Sequence, residues 1–282
     1  MGKFRSLLAV AAVSLLGLQA VSGCGQTTTQ KQQVSQDAKG NQGASGQAAQ
    51  PQQELVVSAA ASLKDSLDAI SKQYEKEHPN TKIDFNFGAS GDLEQQIEQG
   101  APADLFFSAG IKEMNQLEKK QLISANQEKV LLSNQLVVIT PAKNGAAIHS
   151  IADLERPDIQ KVALGQPQTV PAGSYTKDAL VHDQLWQHLQ SKFVFGKDVR
   201  QVLSYVETGN VDAGFVYKTD AMTSKQVHIA FAVDPKSYKP IAYPVGIVKN
   251  SKQKEAAKSF YEFLQTPENK KIFETYGFTM EK

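Results

Sequence analysis

Apolar and polar positions follow two alternating rhythms from Leu55 to the C-terminus. Leu55-Val56-Val57 is a short apolar run that reads as a first strand. Leu63, Leu67, Ile70 and Tyr74 then recur at helical spacing, with Ser62 as the expected N-cap and Asp65 in the first turn. Ile83, Phe85 and Phe87 alternate with Asp84 and Asn86, which predicts a second strand. Gly88-Ala89-Ser90-Gly91 turns from it into an acidic, glutamine-rich helix carrying Leu93 and Ile97. Asp104 to Phe107 reads as a strand, and Ser108-Ala109-Gly110 opens a helix from Ile111 to Leu122. Val130 to Thr140 reads as mostly strand, ending at Pro141.

The same alternation continues. Ile151 to Leu154 reads as a short helix and Val162 to Gly165 as a strand. Thr169 to Ser174 leads into a helix from about Tyr175 to Leu189, with Pro171 well suited to a helix start because its missing N–H would be unpaired there. Asp198-Val199-Arg200 opens a helix through Val206, stopped by Gly209-Asn210. Val211 to Tyr217 is a strand that turns into another helix at Lys218-Thr219-Asp220. Val227 to Val233 and Ile241 to Val248 are strands, and Lys252 to Leu264 and Pro267 to Tyr276 are closing helices. Strands alternating with helices predict an α/β protein with largely parallel sheets.

The first 53 residues have a different pattern. Lys3 and Arg5 precede an apolar run from Leu7 to Leu18, which has the length of a signal-peptide core and is too short for an ordinary membrane span. The run ends in Val21-Ser22-Gly23-Cys24, which resembles the lipobox of bacterial lipoproteins. That resemblance implies a signal peptide over 1–23 and lipidation of Cys24, anchoring the chain to a membrane without spanning it. Gly25 to Gln53 is rich in Gln, Thr, Ser, Gly and Ala and almost free of large apolar residues, so it reads as a flexible tether.

Composition narrows the function classes. Cys24 is the single cysteine of the 282 residues, which excludes a disulfide framework and a cysteine metal site. A net charge of +1 with no basic stripe gives no case for nucleic acid. His182 and His188 are poorly spaced for one metal, and with His78, His149 and His228 scattered, all five read as structural or surface residues. Trp186, Phe193 and Phe195 read as packing.

The strand-to-helix junctions carry the candidate chemistry. Ser62 and Ser90 each follow a strand and begin a helix amid small residues. The free amides of a first helical turn and the helix dipole make such a place suited to an anion. A serine there is equally an ordinary N-cap, and this stretch alone leaves both readings of Ser90 open.

Five places stand out together: Ala60-Ala61-Ser62-Leu63, Gly88-Ala89-Ser90-Gly91, Gly100-Ala101-Pro102-Ala103-Asp104, Val170-Pro171-Ala172-Gly173 and Gly214-Phe215-Val216-Tyr217. In this order they resemble the molybdate-binding proteins of ABC transporters, over essentially the whole chain from Leu55 to Phe278. The resemblance implies a two-lobed, periplasmic-binding-protein-like α/β fold of type II, with mixed, mostly parallel sheets flanked by helices and the ligand in a cleft between lobes. Lobe one would comprise 54–140 plus 241–282 and lobe two 141–240, with crossovers near Thr140 and Pro240. It also implies an oxyanion site made of the Ser62 and Ser90 hydroxyls and amides, the amides of Ala172 and Val199, and the Tyr217 phenol. Val199 rests on Asp-Val-Arg, the least distinctive match, and Tyr217 also fits a buried core tyrosine. Gly91-Asp92 departs from some relatives and puts an acid close to the proposed anion.

The implied function is capture of molybdate, and tungstate with it, for delivery to a membrane ABC permease. The expected protein is a lipid-anchored extracytoplasmic monomer with no cofactor, no enzymatic activity and molybdenum bound only as molybdate. The chemistry is consistent: a fully deprotonated tetrahedral dianion needs only donors, which hydroxyls and backbone amides supply. Hydrogenphosphate keeps a proton that would face like dipoles, a penalty of about 1–3 kcal/mol, unless Asp92 or Asp65 turns inward. An amino-acid ligand is disfavoured, because beyond residue 24 the chain has only Arg156 and Arg200 to clamp a carboxylate. Sulfate, tungstate and phosphonate receptors stay open on composition. The rival class is an exported acyl enzyme: Ser174-Tyr175-Thr176-Lys177 matches S-x-x-K, but neither S-D-N nor K-T-G accompanies it.

Overall fold

The computed structural model describes residues 53–143 and 145–281. The expected signal peptide, Cys24 and nearly all of the tether lie outside them. In chain order the elements are β1 (Gln53–Ala60), a 3-10 turn (Ala61–Leu63), α1 (Lys64–Glu77), β2 (Thr81–Gly88), α2 (Ser90–Glu98), β3 (Leu105–Phe107), α3 (Ile111–Lys119) and β4 (Ile123–Ser133). Next come β5 (Leu136–Pro141), a 3-10 turn (Ile151–Glu155), β6 (Val162–Gly165), α4 (Pro171–His182), α5 (Trp186–Leu189), a 3-10 turn (Gln190–Lys192) and β7 (Phe193–Gly196). The rest is α6 (Val199–Glu207), β8 (Ala213–Tyr217), α7 (Lys218–Met222), β9 (Val227–Ala232), β10 (Ala242–Val248), α8 (Lys254–Phe263), α9 (Pro267–Thr275) and β11 (Thr279–Met280).

These strands make two sheets. The first runs β11-β4-β10-β3-β1-β2 and the second β7-β6-β8-β5-β9. In each, the strands joined through helices pair in parallel: β1 with β2 and β3, and β6 with β7 and β8. Strands adjoining the passages between sheets pair antiparallel: β10 with β3 and β4, and β5 with β8 and β9. The sheets are therefore mixed, with more antiparallel pairing than strand–helix alternation alone suggests. β6, β8 and β10 are buried along their whole length, as strands covered on both faces are, and their sequences are correspondingly apolar throughout.

Several boundaries differ from the sequence reading, each for a local reason. Residues 130–140 are two strands: the chain changes sheet between Ser133 and Leu136, at Asn134-Gln135, rather than at Thr140. The return passage lies between Ala232 and Ala242. The helix expected from Tyr175 to Leu189 starts earlier, at Pro171, and breaks after His182, where Gln184 adopts a left-handed φ of 61°. Phe193–Gly196 is the edge strand β7 rather than packing alone. Ser62 does not cap α1; it lies inside the preceding 3-10 turn, and Leu63 is the N-cap. Ser90 is the first residue of α2 and Ala89 is its N-cap, so Ser90 is not a cap either.

Candidate functional site

The C-terminal end of β1 delivers Ser62, that of β2 delivers Ser90, and β8 ends in Tyr217. Ala172 is the second residue of α4, behind Pro171, and Val199 is the first residue of α6. All five line one small cavity between the two sheets, together with Ala60, Ala61, Gly88, Ala89, Ala109, Val170 and Pro171. The cavity is small, about 10 Å³. Only a compact ligand of a few atoms suits such a site.

Glycines let the chain close in around it. A Cβ on Gly173 would lie 2.0 Å from the Gly165 carbonyl oxygen, so the start of α4 can sit on the end of β6 only without a side chain. A Cβ on Gly91 would lie 2.7 Å from the Thr169 carbonyl oxygen. The Gly91 N–H instead donates to that oxygen at 2.9 Å and joins α2 to the loop before α4.

The lining presents donors. The first amides of a helix have no partner within it, and the helix dipole adds positive potential at that end. α2, α4 and α6 all begin at the cavity, and the 3-10 turn holding Ser62 does the same for α1. Ser90 Oγ accepts from the Ala109 N–H at 2.9 Å, which leaves its own hydrogen for another acceptor. Ser62 Oγ lies 3.0 Å from the Tyr243 hydroxyl. Tyr217 is 1% exposed and its hydroxyl donates weakly to the Ala109 carbonyl at 3.5 Å. Burial raises the Tyr217 phenol well above its ordinary pKa, so it remains a donor.

Among the described residues, no charged side chain lines the cavity. Asp92 is not in the lining. Asp65 is engaged elsewhere, accepting from Arg200 Nη2. Arg200 Nε lies 2.6 Å from Asp220 Oδ1, so this guanidinium ties α1 to α6 and α7. Burial lowers the Arg200 pKa, but Asp220 and Asp65 outweigh it and raise it overall. Burial lifts the Asp220 carboxyl to about 6 against the opposing pull of Arg200. The guanidinium contact makes the ion pair the dominant form at neutral pH.

Other candidates are placed apart. His78 stacks on Tyr74, His182 contacts Asp183 and His188 contacts Glu155. No group of three or more metal-ligating side chains forms among the described residues. Lys177 Nζ lies 5.4 Å from the centre of the Trp186 ring. A second cavity, about 520 Å³, is an open groove bordered by Asp65, Asp68, Lys72, Met222 and Tyr276. Its lining mixes both charges and brings no set of amides together, so the small cavity is the stronger site.

Sequence reasoning missed Tyr243, whose hydroxyl contacts Ser62, and Asn134, which in turn contacts Tyr243. Tyr243 sits in an unbroken apolar run, where a tyrosine looks like core, and only the fold brings it to Ser62.

Residues 55–279 match the family described as bacterial extracellular solute-binding protein. The chain belongs to that family. It is 48% identical over 227 residues to the "Putative ABC transporter substrate-binding lipoprotein YvgL" of Bacillus subtilis, covering 80% of this chain and 86% of the other. It is 39% identical over 228 residues to the molybdate-binding protein ModA of Haemophilus influenzae, covering 80% and 89%. Among solved structures, the "substrate binding domain of putative molybdenum ABC transporter from Clostridium difficile" superposes with a TM-score of 0.63 at 42% identity, covering 81% of this chain and 99% of that one. In this solute-binding protein the two sheets correspond to a pair of α/β halves with the cavity between them.

Proposed function

We propose that this solute-binding protein captures molybdate, and tungstate with it, and hands it to a membrane ABC permease. The observation that carries this reading is the convergence of Ser62, Ser90, Ala172, Val199 and Tyr217 on one cavity with no charged side chain in its lining. Such a lining offers a dianion donors and offers a ligand proton almost nothing. The names of the relatives point to the same ligand.

The ligand is held by the Ser62 and Ser90 hydroxyls and amides, the Ala172 and Val199 amides and the Tyr217 phenol. Binding draws the two halves together about the passages at 134–135 and 233–241, a hinge motion around the ligand. The closed form is what the permease recognises. This reading calls for no covalent chemistry on the chain, and Lys177 Nζ, 5.4 Å from the centre of the Trp186 ring, has a partner other than Ser174. Lipid attachment at Cys24 keeps the protein beside the permease as a monomer on the outer face of the membrane.

Thermal unfolding with each anion tests this. A ligand at a hundred times its dissociation constant stabilises the fold by about 2.7 kcal/mol. For a chain of this size the midpoint then rises by roughly 5–10 °C. Molybdate and tungstate are expected to produce the rise. A rise with sulfate or phosphate alone would reassign the ligand.

A further inference from the structure

Resting on the anion-binding reading, we propose that Tyr243 and Asn134 act as positioning residues that orient the Ser62 hydroxyl as a donor. They thereby set the preference for fully deprotonated oxyanions over protonated ones. Three hydrogen bonds in series carry this. The Asn134 side-chain oxygen accepts from the Gln135 N–H at 2.8 Å, which fixes which end of the amide is nitrogen. Its Nδ2 then faces the Thr219 hydroxyl at 2.9 Å and the Tyr243 hydroxyl at 3.2 Å. An amide nitrogen only donates, so the Tyr243 oxygen is an acceptor towards Asn134. Its single O–H is left for Ser62 Oγ, 3.0 Å away. Ser62 Oγ has then received a hydrogen and keeps its own for the cavity.

The reverse order is worse. If Ser62 donated to Tyr243, the phenol oxygen would accept twice and its own hydrogen would have no partner at a site 0% exposed. An unpaired buried donor is costly. Burial and the nearby Asp220 charge hold the Tyr243 phenol well above its ordinary pKa, so the relay is not broken by ionisation. The ring itself is held edge-on by Tyr217 and Phe278, independent of the hydroxyl.

A hydroxyl locked as donor suits a proton-free oxyanion. A freely rotating one can also accept, and so tolerates the proton of hydrogenphosphate or hydrogenarsenate. Tyr243→Phe keeps the ring and removes the relay. Titration calorimetry of the full chain with molybdate, sulfate and phosphate reads the result, in the native background and in Ser62→Ala. We expect Tyr243→Phe to weaken molybdate about tenfold and to narrow the molybdate-to-phosphate ratio. In the Ser62→Ala background it should leave that ratio unchanged. Asn134→Ala should move the ratio in the same direction by less, because Tyr243 can still donate. Equal weakening of all anions in Tyr243→Phe, or the same change of ratio without the Ser62 hydroxyl, would overturn the proposal while leaving the anion site intact. Failure of the native chain to bind any of these anions would remove the binding reading and this inference with it.

Discussion

Replacing Gly91 with alanine separates closure of the protein from the chemistry of its site. The added Cβ would stand 2.7 Å from the Thr169 carbonyl oxygen and 2.8 Å from its Cα, where ordinary contact begins at 3.4 Å. Both opposing atoms are backbone and cannot swing aside, so the loop must retreat by about 0.7 Å at the oxygen. The Gly91 N–H···O hydrogen bond, 2.9 Å long, would then stretch to roughly 3.6 Å and cease to count as one. Thr169 lies just before Pro171 and Ala172, so the same shift carries the Ala172 amide away from the cavity where the anion is proposed to sit. Losing one neutral hydrogen bond costs about 1 kcal/mol and weakening one to a charged ligand about 1.5–3 kcal/mol. The sum corresponds to a fall in affinity on the order of 10²–10³-fold. Alanine favours a helix over glycine, so α2 itself should not suffer. Calorimetric titration with molybdate should therefore show the loss, while the unfolding midpoint of the anion-free protein stays within a few degrees. Affinity within threefold of the native chain would refute the steric reasoning. A large drop in the midpoint would show instead that the substitution damages the fold.

Other substitutions probe single groups. Ser62→Ala should weaken anion binding by about 1.5–3 kcal/mol, the range for a hydrogen bond to a charged group; unchanged affinity would remove Ser62 from the site. Ala172→Pro deletes one amide in the first turn of α4, where that N–H has no partner within the helix, and should impair binding without unfolding the protein; full affinity would show that this N–H is not a ligand. Glu94 offers a test away from the site. Burial, then the hydrogen bond and charge of Glu98, lift its carboxyl to about 7. The folded chain thus holds a proton that the unfolded chain releases near pH 4.5, and the associated stability is lost as pH rises through about 7. Glu94→Gln is neutral at every pH, so its midpoint relative to the native chain should improve between pH 5 and pH 8; a pH-independent difference would refute this.

What the sequence made legible was local. Ser62, Ser90 and Pro171-Ala172-Gly173 announce themselves because small residues and helix starts occur within a few positions of a strand end. Their convergence followed from the ordered resemblance, since no local pattern states that Ser62 and Val199 face each other. The Ser62 cap assignment failed because a helix start is uncertain by a residue or two, and Ser62 falls one residue before the N-cap Leu63, in the 3-10 turn. The change of sheet at Asn134-Gln135 was hidden inside VLLSNQLVVIT, where Ser133, Asn134 and Gln135 only briefly interrupt an apolar run. Tyr243 and the Gly91–Thr169 contact were invisible for a different reason. Their partners lie 181 and 78 positions away, at Ser62 and across the Gly91 hydrogen bond, and no periodicity encodes such a distance.

The most direct test of an anion clasped by donors alone is a calorimetric titration of the full native chain with molybdate, followed by sulfate and phosphate under the same conditions. One molybdate per chain, with sulfate weaker and phosphate weakest or undetectable, is the predicted result. Phosphate binding as tightly as molybdate would contradict it, because the lining holds no carboxylate to accept the phosphate proton.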